Sequence, residues 1–358
     1  MRKNCLVIGY MSNNFGDDLF FQILFDRYPN VDFYFYPPSM LLERYKKIFK
    51  GYKNVIFYEN EERYIVDKRD YPGVPINLFP MICERAKKVD FIINIGGSIF
   101  IQNPNWKNDD RFTIKEFAGN TPYFIIGCNF EPGDEEFYNY YKDWFKQVDD
   151  ICFRDMESYN SFKELSNVRV ADDIVLIKKK KVKTIKNGLA ISVMDLEHYE
   201  KIKSYKREYY NFIVRLIRKF IKEKQPVALF SYCDNDEDLK AANEIVDKLY
   251  DYEKEKVEIV NYDSEIDKFY KKWSKYKYVV GTRFHSMILA LANEQDFLAL
   301  TYSKKTYNYL KYVDENAEVV DFSEIEKLDV NNLKFNKISR NYNAEAQFKK
   351  IDEFLKNK

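Results

Sequence analysis

Tyr278–Ala292, YVVGTRFHSMILALA, is the stretch from which the rest of the chain can be read. A short β-rich apolar run ends at Gly281, Thr282-Arg283 turns the chain, and an apolar stretch of helical composition follows at once. A strand that runs straight into a helix is the unit from which parallel sheets covered by helices are built. The turn also aims the N–H groups of the helix N-terminus past the strand's carboxyl end, where they favour an anion. Arg283 adds a planar cation suited to phosphate or carboxylate. His285, one of only two histidines, can give a proton or a hydrogen bond to the same anion. A polar helix start with a capped histidine would look the same.

The same alternation extends in both directions. After residue 187, Gly188–Val193, Val227–Tyr232, Val257–Tyr262 and Phe297–Tyr302 read as strands. Glu208–Glu223, Asp236–Asp251, Asp263–Lys275 and Ser286–Asn293 read as helices, and Asn343–Leu355 as a closing helix. Before it, Asn4–Tyr10, Val31–Tyr36, Val55–Tyr58, Asp90–Ile95, Pro122–Gly127, Asp150–Phe153 and Val168–Ala171 read as strands, with a helix over Asp18–Arg27. Continuous apolar strands of this kind are buried on both faces, as parallel strands are. Between the halves, IKKKKVKTIK carries six lysines in the nine positions from Lys178. It reads as a solvated connector, or as a patch facing anionic lipid or a diphosphate. The expected fold class is therefore α/β. An N-terminal domain over 1–177, a basic linker over 178–187, a C-terminal domain over 188–335 and a closing helix over 336–358 make up the chain. Both domains are Rossmann-like and face a cleft, with ligands beyond the carboxyl ends of the strands.

Composition narrows the function. Of 358 residues, 46% are hydrophobic and 32% charged, the balance of an ordered globular chain. Lys plus Arg is 58 and Asp plus Glu 57, so no basic excess points to nucleic acid. The 30 tyrosines and 29 phenylalanines fit core filling first and sugar stacking only unspecifically. Five cysteines, at 5, 83, 128, 152 and 233, form no CxxC pair. Neither a disulfide framework nor a zinc site is expected, and a reducing compartment is. The first apolar run is too short for a signal peptide, and no stretch approaches the roughly 20 apolar residues of a membrane span. A cytoplasmic protein, or one peripheral at the inner face of the cell membrane, is expected. No HExxH, DxDxDG or GxSxG pattern occurs, so neither a metal nor a serine nucleophile is indicated.

Further candidates sit at strand ends. In Gly9–Asp17, GYMSNNFGD, Asn14 and Gly16 suit a tight turn, and Asp17 or Asp18 suits a helix cap. The loop lacks GxGxxG and GxxxxGK[ST], so a dinucleotide or P-loop site is unsupported. Gly96-Gly97-Ser98 follows DFIINI, where glycines permit close approach of backbone to ligand. Arg154 ends a strand and Ser158 lies early in the next helix; Arg154 could equally pair with Asp155 or Glu157. Asp172, after Val168–Val170, could be an acid or base or a cap. His198, in a polar stretch, reads as an exposed helix residue.

Taken in order, these elements resemble the polysaccharide pyruvyl transferase family over roughly residues 4–313. The matching elements are the N-x-G-D loop with Asn14, Gly16 and Asp17, the glycine turn at Gly96 and Gly97, the R-[DE]-x-x-S element of Arg154, Asp155 and Ser158, and Asp172. G-x-R-x-H at Gly281, Arg283 and His285 and Tyr-x-x-Lys at Tyr302 and Lys305 complete the set. Ser98 stands where the family has a third glycine, and the glycine-rich stretch after the next strand is Gly127–Pro132 here, with only its ends kept. Both departures bear on acceptor recognition. The resemblance implies a GT-B-like fold, phosphoenolpyruvate as donor substrate with no other cofactor, and a sugar acceptor that receives a pyruvate ketal. It implies Arg283 and Arg154 as anion clamps, His285 as the acid, and Asp17 or Asp172 as the base. The lysine run suits a lipid-diphosphate-linked acceptor. A GT-B glycosyltransferase using a nucleotide sugar and a non-catalytic glycan-binding subunit are the alternatives.

Overall fold

A computed structural model describes residues 2–60, 77–178 and 187–356. The lysine-rich connector therefore lies, except for its ends, outside the described residues. The chain forms two compact units. The first comprises Met1–Ser12, Phe20–Ile174 and Asn343–Lys358, the second Asn13–Leu19 and Val175–Tyr342.

The first unit is built on seven strands, β1 (Lys3–Gly9), β2 (Val31–Phe35), β3 (Val55–Phe57), β4 (Phe91–Ile95), β5 (Tyr123–Cys128), β6 (Asp150–Phe153) and β7 (Val168–Val170). They pair in parallel in the order β3-β2-β1-β4-β5-β6-β7. Every residue of β4, β5 and β6 is buried, which is why FIINI and YFIIGC read as unbroken apolar runs. Helices α1 (Phe15–Arg27), α2 (Leu42–Ile48), α3 (Phe79–Ala86), α4 (Asp110–Ala118), α5 (Glu135–Phe145) and α6 (Met156–Phe162) follow the strands. Much of the aromatic excess fills one core, with Phe100, Trp106, Phe137, Tyr141, Trp144 and Phe145 buried together.

The second unit repeats the plan with β8 (Leu189–Ser192), β9 (Val227–Ser231), β10 (Val257–Asn261), β11 (Tyr278–Gly281), β12 (Asp296–Thr301) and β13 (Val319–Asp321). Its order is β10-β9-β8-β11-β12-β13, again all parallel. The helices are α7 (Lys206–Lys222), α8 (Asp238–Val246), α9 (Asp251–Lys254), α10 (Ile266–Trp273), α11 (Phe284–Ala292) and α12 (Lys304–Val313). Helix α7 buries Tyr209, Phe212, Ile213, Leu216, Ile217 and Phe220, an i, i+3, i+4 stripe that closes the core on one side. The strand order turns back beside the first strand of each sheet, between β1 and β4 and between β8 and β11. Ligands bind at the carboxyl ends of strands at such a reversal.

Two helices differ from their sequence reading. The helix expected over Asp236–Asp251 is two, because Tyr250 is extended (φ −71°, ψ 154°) and the Glu253 carboxylate accepts its N–H at 2.9 Å, starting α9 afresh. The closing helix over Asn343–Leu355 begins as a 3-10 turn, Ala344–Phe348, before α13 (Lys349–Lys356). That turn carries the fully buried Gln347 to the ends of the first sheet. Its Oε1 accepts from Gly127 N at 2.9 Å, and its Nε2 donates to the carbonyls of Phe153, Ala171 and Asp172 at 3.1–3.3 Å. Gln347→Leu keeps the size but leaves the Gly127 N–H and the carbonyls without that partner. It should cost the first unit about 1–3 kcal/mol, read as a lowered denaturation midpoint in urea.

Candidate functional site

In the second unit, Asn13–Leu19 is held by the loop after β9. Asn14 bridges Cys233 in antiparallel fashion, Phe15 N donates to Tyr232 O at 3.0 Å, and Asp234 N donates to Asn13 O at 3.1 Å. The fully buried Phe15 ring packs on Tyr232, Tyr262 and Phe269, with centroids 4.6–5.6 Å away. The cap of α1 is Asn14, whose Oδ1 accepts Gly16 N at 2.8 Å. Asp17 and Asp18, read as possible caps, lie instead in the first turn, where negative charge also suits the helix dipole. Asp18 is buried and accepts from Tyr262 OH at 2.6 Å, whereas Asp17 is half-buried.

Gly16 brings this loop to the G-x-R-x-H segment. A Cβ at Gly16 would run into the His285 imidazole, at Nδ1 and Cγ, so only glycine lets the two approach. His285 is the second residue of α11, and Arg283 is its N-cap residue in extended conformation (φ −85°, ψ 138°). Ser286 closes the turn, its N and Oγ both donating to Arg283 O, at 3.0 and 2.5 Å. Lys305, the second residue of α12, places its Nζ 5.3 Å from the Phe284 ring centroid.

Arg283 is already engaged. Its Nη1 donates to Asp236 Oδ2 at 2.6 Å and to Tyr199 OH at 2.8 Å, its Nε donates to Asp238 Oδ2 at 3.2 Å, and its Nη2 donates to Asp238 Oδ1. Four of its five N–H groups are thus committed. Burial alone would lower its pKa, but Asp238, Tyr199 and Asp236 outweigh burial and hold it well above the ordinary value. For Asp238, fully buried, the burial wins and the carboxyl is pushed up; for Asp236, Arg283 overcomes burial and the carboxyl is held low. The sequence reading missed Asp236, Asp238 and Tyr199. The two aspartates lie four and six residues past the strand VALFSY, in the loop and helix start at its carboxyl end, the kind of position that singled out Asp172.

The first unit gathers the other candidates. Gly97 lies under the Arg154 guanidinium, and a Cβ there would meet Nη1 at 2.8 Å. Arg154 is 1% exposed and donates to Asp173 Oδ2 at 2.9 Å and to Asn129 Oδ1 at 2.6 Å. Ser98 joins through the same oxygen, Oγ donating to Asn129 Oδ1 at 3.1 Å. Gly96 precedes this turn, its N–H donating to Ile126 O at 3.4 Å. Asp155 caps α6 by accepting Ser158 N at 2.8 Å, and Ser158 Oγ accepts Phe130 N at 2.8 Å. Asp172 is 2% exposed and accepts Asn343 N at 2.6 Å. His198 is exposed as expected, but in a turn and not a helix, 3.2 Å from Glu237.

All five cysteines are free and buried. Among the described residues no group of three or more His, Cys, Asp or Glu could hold a metal ion, and no helix is long and apolar enough to cross a membrane.

The family described as polysaccharide pyruvyl transferase matches residues 14–304. Among curated proteins, none matches this chain. Solved structures share the fold at low identity. The UDP-GlcNAc 2-epimerase of Methanocaldococcus jannaschii superposes with a TM-score of 0.60 at 11% identity, over 99% of this chain and 100% of that one. The Neisseria meningitidis UDP-GlcNAc 2-epimerase bound to UDP-GlcNAc gives 0.57 at 12%, over 99% and 100%. Anabaena HepE in complex with UDP and glucose gives 0.55 at 10%, over 99% and 100%. These likenesses establish two Rossmann-like units of the GT-B kind.

Two outcomes test this geometry. Asp238→Ala should destabilise the second unit by about 3 kcal/mol, the low end for breaking a buried pair because Asp236 remains, read by urea denaturation. The Cys152 and Cys233 thiols are both pushed up to about 12, chiefly by burial. A raised thiol pKa keeps the group protonated below that value. Native protein at pH 8 should therefore react slowly with a thiol reagent at these positions, and guanidinium should release all five thiols.

Proposed function

The chain belongs to the polysaccharide pyruvyl transferase family, and we propose that it transfers the enolpyruvyl group of phosphoenolpyruvate to a sugar of a cell-surface polysaccharide or its lipid-linked precursor. The contact of Gly16 with the His285 ring carries this reading, because it joins the chain's two most distinctive loops beside Arg283. In the proposed reaction a sugar hydroxyl adds to C2 of the enol while its proton leaves to a base, and an acid protonates C3. Phosphate then departs from C2, and a second hydroxyl of the same sugar closes the ketal and gives up its proton.

We assign the donor to the second unit and the acceptor to the first. His285 is the acid for C3. Asp17, half-buried beside Gly16, is the base. Asp172, which holds the backbone of Asn343, suits a structural part better. Lys305 and the remaining Arg283 N–H face the donor's phosphate and carboxylate, with Asp236 and Asp238 fixing the guanidinium plane. In this scheme Arg154 orients the glycine turn and Ser98 for the acceptor and is not itself a clamp. The five free cysteines support a cytoplasmic, reducing setting.

The fold shared with a protein solved with UDP and glucose favours one second reading, transfer from a nucleotide sugar. Calorimetric titration separates the two. Phosphoenolpyruvate should bind, UDP-galactose and CMP-sialic acid should not, and His285→Ala should lower turnover about 10²–10⁴-fold with donor still bound. Binding of a nucleotide sugar with silence toward phosphoenolpyruvate would sink the proposal.

A further inference from the structure

A cavity of about 400 Å³ opens beside β1 and β4, at the order reversal of the first sheet. That volume lies in the ~300–1,000 Å³ range of small-molecule sites. Its lining runs from Asn94, 1% exposed, to Ile101 and Tyr10, 43% and 63% exposed, so it is a pocket with a buried end and an aromatic mouth. Trp106 and Tyr141 supply further aromatic lining.

Two features define the chemistry it can hold. The first is charge. Asp109 and Arg111 are the only charged residues among the described residues lining it, and they are spent on each other. Arg111 Nε reaches both Asp109 oxygens at 2.8 Å, Nη2 donates to Ile99 O at 2.7 Å as well as to Asp109, and the guanidinium lies 4.5 Å from the Phe100 ring centroid. Asp109 also accepts from Tyr141 OH at 2.8 Å. The pair carries no net charge, so the lining offers neither an anion nor a cation a net opposite charge to match.

The second is an unmet amide. Asn94 is the one polar residue of the buried strand FIINI, and its Nδ2 makes no hydrogen bond. The Tyr123 hydroxyl lies near it, but it too closes no bond of ordinary geometry. A buried unmet donor costs about 1–3 kcal/mol, which a ligand oxygen would recover. A neutral ligand rich in hydroxyls, with C–H faces for aromatic rings, meets both conditions.

We infer that this pocket binds an uncharged pyranose unit of the acceptor, with Asn94 as the residue that selects it. The sugar's role as acceptor rests on the transfer reaction proposed above; its binding does not. Saturation-transfer NMR with the methyl glycosides of glucose, galactose, mannose and N-acetylglucosamine, against methyl glucuronide, tests it on the whole chain. At least one neutral glycoside should bind. Its Kd should rise about tenfold in Asn94→Leu, the loss expected for one hydrogen bond. It should rise at least about threefold in Tyr10→Ala, whose exposed site tolerates change. Methyl glucuronide should bind more weakly than the glucoside. Silence of all four neutral glycosides, unchanged affinity in whichever variants keep the native circular dichroism spectrum, or equal binding of the glucuronide would overturn the inference. Phosphoenolpyruvate calorimetry on the same wild-type sample reads the other proposal separately. Glycoside binding without donor binding removes the transfer reaction and leaves the pocket, and the reverse removes the pocket alone.

Discussion

The Asp238 carboxylate, with none of its surface in water, accepts from the backbone N–H groups of Tyr232 and Cys233 and from the Arg283 guanidinium. A buried carboxylate is tolerable only when its oxygens are saturated and its charge is matched. Meeting that demand ties the carboxyl end of β9 and the start of α8 to the entry of α11. The same loop after β9 seats Asn14 and Phe15. Through Gly16 the chain is then laid against His285. The site of the second unit is thus a consequence of one ion pair, and the most distinctive motif residue, Arg283, is more a scaffold for the site than an open cation.

The first unit solves the same problem with another arginine. Arg154 is buried against Asp173 and shares Asn129 with Ser98, while Gly97 passes beneath its guanidinium. The Ser98 hydroxyl thereby joins the arginine's hydrogen-bond set through an oxygen that is itself buried. Each unit therefore carries a charged network at the carboxyl ends of a parallel sheet, where strand geometry leaves loop backbone and polar side chains together.

The inner strands were legible because they are buried on both faces, whereas the short edge strand β13, half-exposed, was not read. β4, β5 and β9 carry almost nothing but apolar residues, and no tertiary context is needed to read them. Glycines were legible as points of close approach, though not what approaches them. Partners were not legible. Asp155 sits next to Arg154 in the chain yet caps α6, while the arginine reaches Asp173 across the sheet edge. Asp17 and Asp18 have the composition of caps, but Asn14 takes that place because its loop is pinned by Cys233, more than two hundred residues away. The break between α8 and α9 depends on a single carboxylate folding back on Tyr250. Such choices are made by contacts between distant segments, which local pattern does not encode.

The return of Asn343–Lys358 to the first unit has a consequence for how the chain is made. A ribosome delivers the seven strands of the first sheet early, then the whole of Val175–Tyr342, and only afterwards Gln347. Until that residue arrives, the N–H of Gly127 and the carbonyls of Phe153, Ala171 and Asp172 lack their native partner. The second unit is contiguous apart from Asn13–Leu19, and that piece has long since emerged when its strands appear. Domains usually mature in the order of synthesis. Here the segments of the later-synthesised unit are all present before Asn343–Lys358 joins the earlier one.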